Sequence, residues 1–209
     1  MVVCRRKFVN IFTEKVFTMY NTQAYINLIR ERLSNYRFYH SMCVAESAVQ
    51  LARRFGADEE KAYVAGILHD VMKEAPAEEQ LATIEKAGMQ MTALEKRNKK
   101  VYHQMSGAAY VQTELGIADE EIVGAIRYHT TARRDMKLLE KIIYLADFIS
   151  ADRNYDDVEI MRKKVEESME AGMLYSMRYT IVDLVNQCKE IHPDTLEAYN
   201  WVVEQKGND

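Results

Sequence analysis

Only 8 glycines and 2 prolines punctuate 209 residues, and that scarcity constrains the fold more than any other feature of the chain. All-β folds need frequent tight turns, and those turns draw on glycine and proline. A chain so poor in both is built from helices joined by short loops. The apolar spacing agrees. Val44, Ala48, Leu51, Ala52 and Phe55 fall on one helical stripe that ends at Gly56, a natural C-terminal cap. Asp58 suits the N-cap of the next helix, which carries Ala62, Ala65, Ile67 and Leu68 into His69-Asp70. Thr92 and Glu95 have the spacing of a capping box. Further helices are expected around 103–115, 119–129, 136–150, 158–187 and 193–205, with Pro193 in the first turn of the last. The expectation is an all-α fold, a single helical bundle.

The chain shows no internal repeat, low-complexity tract or linker, and its length suits one domain. That domain is expected over residues 20–209, with 1–19 an N-terminal extension of unassigned role. The extension carries Arg5, Arg6 and Lys7 before a short apolar run that Thr13-Glu14-Lys15 ends, too short for a secretory signal. A 48% hydrophobic share with 29% charged residues is that of a soluble globular chain with a real core. The net charge of −4 lacks the basic excess that phosphate contacts demand of a nucleic-acid binder. Apolar runs fall well short of the roughly 20 residues of a membrane helix. Cys4, Cys43 and Cys188 have no metal-type spacing and are expected as reduced thiols in a cytoplasm.

The chemistry lies in the histidines and in two badly placed carboxylates. His40 shares a helix face with Val44, Ala48 and Leu51, so it points inward. His69 and Asp70 close a very apolar helix, and Asp147 sits within Ile142-Ile143-Tyr144-Leu145-Ala146-Asp147-Phe148-Ile149. An ionised carboxylate in such surroundings must be paired or bound to a cation, because unpaired burial costs many kcal/mol. Any one of these residues alone would pass as a satisfied core group, and Asp147 could pair with a buried arginine. Taken together, inward imidazoles and carboxylates suit a borderline divalent metal.

The ordered set Arg37-Phe38-Tyr39-His40, Gly66-Ile67-Leu68-His69-Asp70, His103, Tyr128-His129-Thr130-Thr131 and Tyr144-Leu145-Ala146-Asp147 resembles the HD superfamily of metal-dependent phosphohydrolases. Lys73-Glu74 after the His-Asp pair, Arg153 after Asp147, and Ile191-His192-Pro193-Asp194-Thr195 with Tyr199-Asn200-Trp201 resemble one branch, the symmetrical bis(5′-nucleosyl)-tetraphosphatases. The chain departs from that pattern at Gln104 and Ala132, where glycine is expected, and at Ser150-Ala151, where Glu-Pro is expected.

The resemblance implies metal ligation by His40, His69, Asp70 and Asp147. The metal would be iron first, with manganese, cobalt or zinc as alternatives, lowering the pKa of a bound water and polarising a phosphoryl oxygen. It implies symmetrical hydrolysis of diadenosine tetraphosphate and similar small dinucleotides to ADP- or GDP-type products. Asp70 is the expected proton acceptor. Arg37, Lys73 and Arg153 are the expected cations on the polyphosphate. His103 and His129 are expected to donate to phosphate oxygens, or alternatively to hold a second metal. Thr195 and Tyr199 are candidate contacts at the nucleoside end, and equally a helix cap and a core aromatic. Arg133 and Arg134 are left out as exposed arginines beyond a helix end.

Rival readings are an HD phosphatase acting on another small nucleotide, a nucleotide sensor with little turnover, and a di-iron oxygenase on the same scaffold. Neither a nucleic-acid nor a membrane partner is expected. The stripe Met173, Leu174, Tyr175, Met177 and Tyr179 is a candidate homodimer face, or equally core.

Overall fold

The computed structural model describes residues 18–206. Its elements are all helical: α1 Thr22–Arg32, α2 Asn35–Phe55, α3 Glu59–Leu68, α4 Ala77–Lys86, α5 Ala93–Arg97, α6 Tyr102–Thr113, α7 Glu120–Tyr128, α8 Leu138–Ile149, α9 Val158–Glu167, α10 Met169–Asn186 and α11 Pro193–Lys206. A single 3₁₀ turn, Lys99–Val101, precedes α6. The all-α expectation holds. Residues 1–17 of the expected extension lie outside the described residues. Among those described, no helix is long and apolar enough to cross a membrane.

Local chemistry sets the boundaries where the sequence marks them. Gly56 ends α2 in the left-handed region at φ 78°, a conformation glycine adopts without the clash of a Cβ. Asp58 accepts from Lys61 N at 2.9 Å and starts α3. Thr92 and Glu95 close a reciprocal capping box on α5.

One expected element is two. The helix expected over 158–187 breaks at Ser168, whose backbone is extended at φ −162° and ψ 166°, and whose hydroxyl accepts from Ala171 N to begin α10. The apolar spacing continues across the break, so periodicity hides it. Helices α1 and α4 were not singled out by the sequence.

The core runs from Ile29 of α1 to Ala198 of α11. Its densest part is α8, where Ile142, Ile143, Tyr144, Leu145 and Ala146 are fully buried. Helices α2 and α3 pack closely because of Gly66. A Cβ there would stand 2.5 Å from the Cα of Ala45. That close approach brings His69, three residues on, towards His40 on α2. Met173 and Met177 of the candidate dimer stripe are buried in the core, while Tyr179 lies against Tyr155.

Candidate metal centre

The centre forms where the end of α3, the face of α2, the last turn of α8 and the ends of α6 and α7 meet. Glu74, just past the His-Asp pair, accepts from the backbone N–H and hydroxyl of Ser34, the N-cap of α2, at 2.6 and 2.8 Å. That clamp ties the start of α2 to the turn after the His-Asp pair, and Arg37 in its first turn reaches Asp70.

Three imidazoles have their Nδ1 atoms committed. Nδ1 of His69 lies 2.8 Å from the Gly66 carbonyl, and Nδ1 of His129 lies 2.8 Å from the Ile126 carbonyl. A carbonyl only accepts, so each Nδ1 carries the proton, and in the neutral ring Nε2 presents a lone pair. Nδ1 of His40 faces Asp152 Oδ2 at 2.8 Å. The Nε2 atoms of His40 and His69 are buried with no hydrogen-bond partner, as is Oδ1 of Asp70. Orphaned buried polar atoms are rare in a native protein and call for an explanation.

Those orphans converge. Nε2 of His40 lies 3.0 Å from Asp147 Oδ1, and Nε2 of His69 lies 3.6 Å from Asp70 Oδ2. Ligand atoms of His40, His69 and Asp147 lie within 4.8 Å of one another, as do those of His69, Asp70 and His129. Borderline nitrogen donors and hard carboxylate oxygens gathered this way fit a divalent transition metal. The four expected ligands thus fall in two triads that share His69, the second completed by His129.

Electrostatics keep the site ready. Burial pushes the His69 ring down to about 4, so it is neutral. Burial would raise Asp70, but His69, His129, Lys73 and His103 outweigh it and hold the carboxyl well below its usual range. Asp147 is likewise held low, burial being overcome by Arg153 and His40.

The expected phosphate contacts surround the same point. Arg37 reaches Asp70 Oδ2 at 3.3 Å, and Lys73 Nζ lies 3.7 Å from Asp70 Oδ1. Arg153 bonds the backbone and side-chain oxygens of Asp147. These three cations keep 27 to 29% of their side-chain surface exposed. Nε2 of both His103 and His129 lies 3.5 Å from Asp70 Oδ1. Lys73 Nζ donates to His103 Nε2 at 2.9 Å.

Thr195 and Tyr199 stand apart from this group. The Thr195 hydroxyl is buried and donates to the Thr131 carbonyl at 2.7 Å, bracing the turn after His129. Tyr199 lines a cavity of about 340 Å³ with Tyr175, Arg178 and Lys164. Arg133 and Arg134 pair with Glu140 and Glu204.

The departures acquire physical roles. Gln104 is fully buried, and its Oε1 accepts from the backbone N–H groups of Thr130 and Thr131 at 3.2 Å. Ala132 sits at φ 58°, where an L side chain is strained and glycine is at ease. Asp152, beside the Ser150-Ala151 departure, is the residue sequence reasoning missed. It follows a helix end in a polar loop, where nothing local marks its partner on α2.

The comparisons bear on the same residues. The HD domain family model matches residues 37–152. The symmetrical bis(5′-nucleosyl)-tetraphosphatase of Bacillus subtilis is 38% identical over 183 residues, 88% of this chain and 98% of that protein. The Halalkalibacterium halodurans protein of the same name is 38% identical, covering 87% and 97%. The chain belongs to the HD-domain family, in the branch of the symmetrical bis(5′-nucleosyl)-tetraphosphatases. A solved HD superfamily hydrolase from Clostridium acetobutylicum, described as involved in NAD metabolism, matches with a TM-score of 0.86 at 32% identity, covering 90% of this chain and all of that one. The HD match begins at Arg37 and ends at Asp152. It thus takes in every residue gathered around the centre except Arg153.

Proposed function

We propose that this chain hydrolyses diadenosine tetraphosphate and related dinucleoside polyphosphates at the middle of the bridge, releasing two nucleoside diphosphates. The observation that carries the reading is the convergence of orphaned His40 and His69 Nε2 atoms with Asp70 and Asp147, under a rim of three cations. It agrees with the name shared by the Bacillus subtilis and Halalkalibacterium halodurans relatives.

His40, His69, Asp70 and Asp147 would hold the divalent metal, iron first, with manganese, cobalt or zinc as alternatives. When bound, that metal activates water and polarises the phosphoryl group. The protein's own groups do the rest. The two oxygens of Asp70 have different neighbours, Oδ2 lying nearer His69 and Oδ1 nearer His103 and His129. Ionised Asp70 would serve as ligand through one oxygen and accept from the attacking water through the other.

Arg37, Lys73 and Arg153 take the anionic bridge and orient it. Lys73, His103 and His129 form a contiguous cluster, with the two Nε2 atoms 3.1 Å apart; the Lys73 ammonium stabilises charge on the departing phosphate, and the imidazoles join it as donors once Nε2 is protonated. The ammonium of Lys73 lies against His103 Nε2, on the side a second metal would use. That favours the phosphate role for His103 over the di-iron alternative. Thr195 and Tyr199 stay candidates for the nucleoside end, Thr195 bonded to the Thr131 carbonyl and Tyr199 lining a cavity with Tyr175, Arg178 and Lys164.

Initial rates on diadenosine tetraphosphate, nucleoside monophosphates and guanosine tetraphosphate test the reading against the small-nucleotide alternative. The dinucleotide is expected to lead in kcat/KM. Preference for a monophosphate would overturn it, and tight binding with no turnover of any of them would favour the sensor.

A further inference from the structure

His40 is braced differently from the other two rings. Nδ1 of His69 and of His129 each face a neutral carbonyl three residues back. Nδ1 of His40 faces a carboxylate 112 residues along the chain, Asp152 Oδ2, at 2.8 Å. The Asp152 side chain is only 4% exposed. Its other oxygen accepts from the Ser150 hydroxyl at 2.7 Å. Both oxygens are thereby used, as a buried carboxylate requires.

The loop that carries Asp152 is itself fixed. Ser150 N donates to Ala146 O, and Arg153 N donates to Ser150 O, both at 3.0 Å. From α9, Arg162 donates to the carbonyls of Ile149 at 3.2 Å and Ser150 at 2.9 Å. The next residue in the loop, Arg153, grips Asp147. Consecutive residues of one short loop, opposite in charge, therefore hold the facing pair His40 and Asp147.

We propose that Asp152, tethered by Ser150, is a positioning residue of the metal centre. It fixes the tautomer and ring plane of His40 and strengthens Nε2 as a donor to the metal. A carboxylate behind a ligating imidazole orients the ring and raises its basicity, and removing such partners commonly costs about 10- to 100-fold in metal affinity. Asp152 acts through His40, and Ser150 through Asp152. The inference rests on the metal-centre reading and is independent of the substrate.

The test is Mn(II) affinity of the full chain, followed by the electron paramagnetic resonance signal of free Mn(II), for wild type, Asp152→Ala, Asp152→Asn and Ser150→Ala. The Co(II) visible spectrum is recorded for each, and the melting temperature of each metal-free variant serves as the folding control. Asp152→Ala is expected to weaken Mn(II) binding by about 10- to 100-fold and to change the Co(II) bands. Asp152→Asn, which keeps an acceptor for Nδ1–H, should recover part of the loss, and Ser150→Ala should lose least. Mn(II) affinity within twofold of wild type in both Asp152 variants, with unchanged Co(II) bands, would overturn the proposal. The measurement uses no nucleotide, so its failure would leave the hydrolase reading intact.

Discussion

Nε2 of His40 and Oδ1 of Asp147 face each other at 3.0 Å from α2 and α8, while Nδ1 of the same ring is committed to Asp152. Burial alone would lower the His40 pKa, but the two carboxylates outweigh it and raise the group to about 9. In the metal-free protein the ring therefore keeps its second proton to higher pH than a free imidazole, in competition with a metal at Nε2.

A pH dependence of metal uptake follows. Because the folded pKa is raised above the ordinary 6.5, His40's contribution to metal-free stability is full below pH 6.5 and is lost as pH rises through about 9. Metal must displace that proton, so apparent Mn(II) affinity should rise roughly tenfold per unit from pH 7 towards 9 and then flatten. His69, held down at about 4, adds nothing in this window. Titrations at pH 7, 8 and 9 check this, and a flat affinity would refute it.

Lys73→Met removes the ammonium that touches His103 and Asp70 without touching a metal ligand of α2 or α8. Losing a charged donor to the reacting phosphate should cost about 10²- to 10³-fold in kcat/KM. Mn(II) affinity should stay within a few-fold. A parallel collapse of metal binding would make Lys73 part of the metal site's framework instead.

Gly66→Ala forces a Cβ to within 2.5 Å of the Ala45 Cα, a backbone atom that cannot turn aside. Separating α2 from α3 should cost about 1–3 kcal/mol, read as a lower melting temperature. Metal affinity should fall with it, since His40 and His69 ride on those helices. Unchanged melting would contradict the packing argument.

Thr195→Val leaves the buried Thr131 carbonyl without its side-chain donor, at a cost of about 1–3 kcal/mol in stability. A substrate contact would behave differently, raising KM at constant melting temperature. Thermal unfolding and steady-state kinetics on the same preparation separate the two roles.

The candidate carboxylates were legible in the sequence because they violate their local context. Asp147 interrupts an apolar helix, and His69-Asp70 ends one. Gly56, Asp58 and the Thr92–Glu95 pair announced helix ends through chemistry that acts within a turn of the chain. What stayed hidden acts over distance or against a continuous pattern. Asp152 gains its meaning only from a ring 112 residues earlier. Gln104 looked like a lost glycine, yet its side chain clamps the turn that carries Thr130 and Thr131. The break at Ser168 leaves the apolar spacing intact, so only the serine's capping ability signals it.

Symmetric cleavage at this metal centre would leave a distinctive product. Its most direct test is the product set from diadenosine tetraphosphate, resolved by anion-exchange chromatography for the Mn(II)- or Fe(II)-loaded protein and for Asp70→Ala. ADP alone is expected from the wild type and no product from the variant. AMP together with ATP, or undiminished ADP from Asp70→Ala, would contradict it.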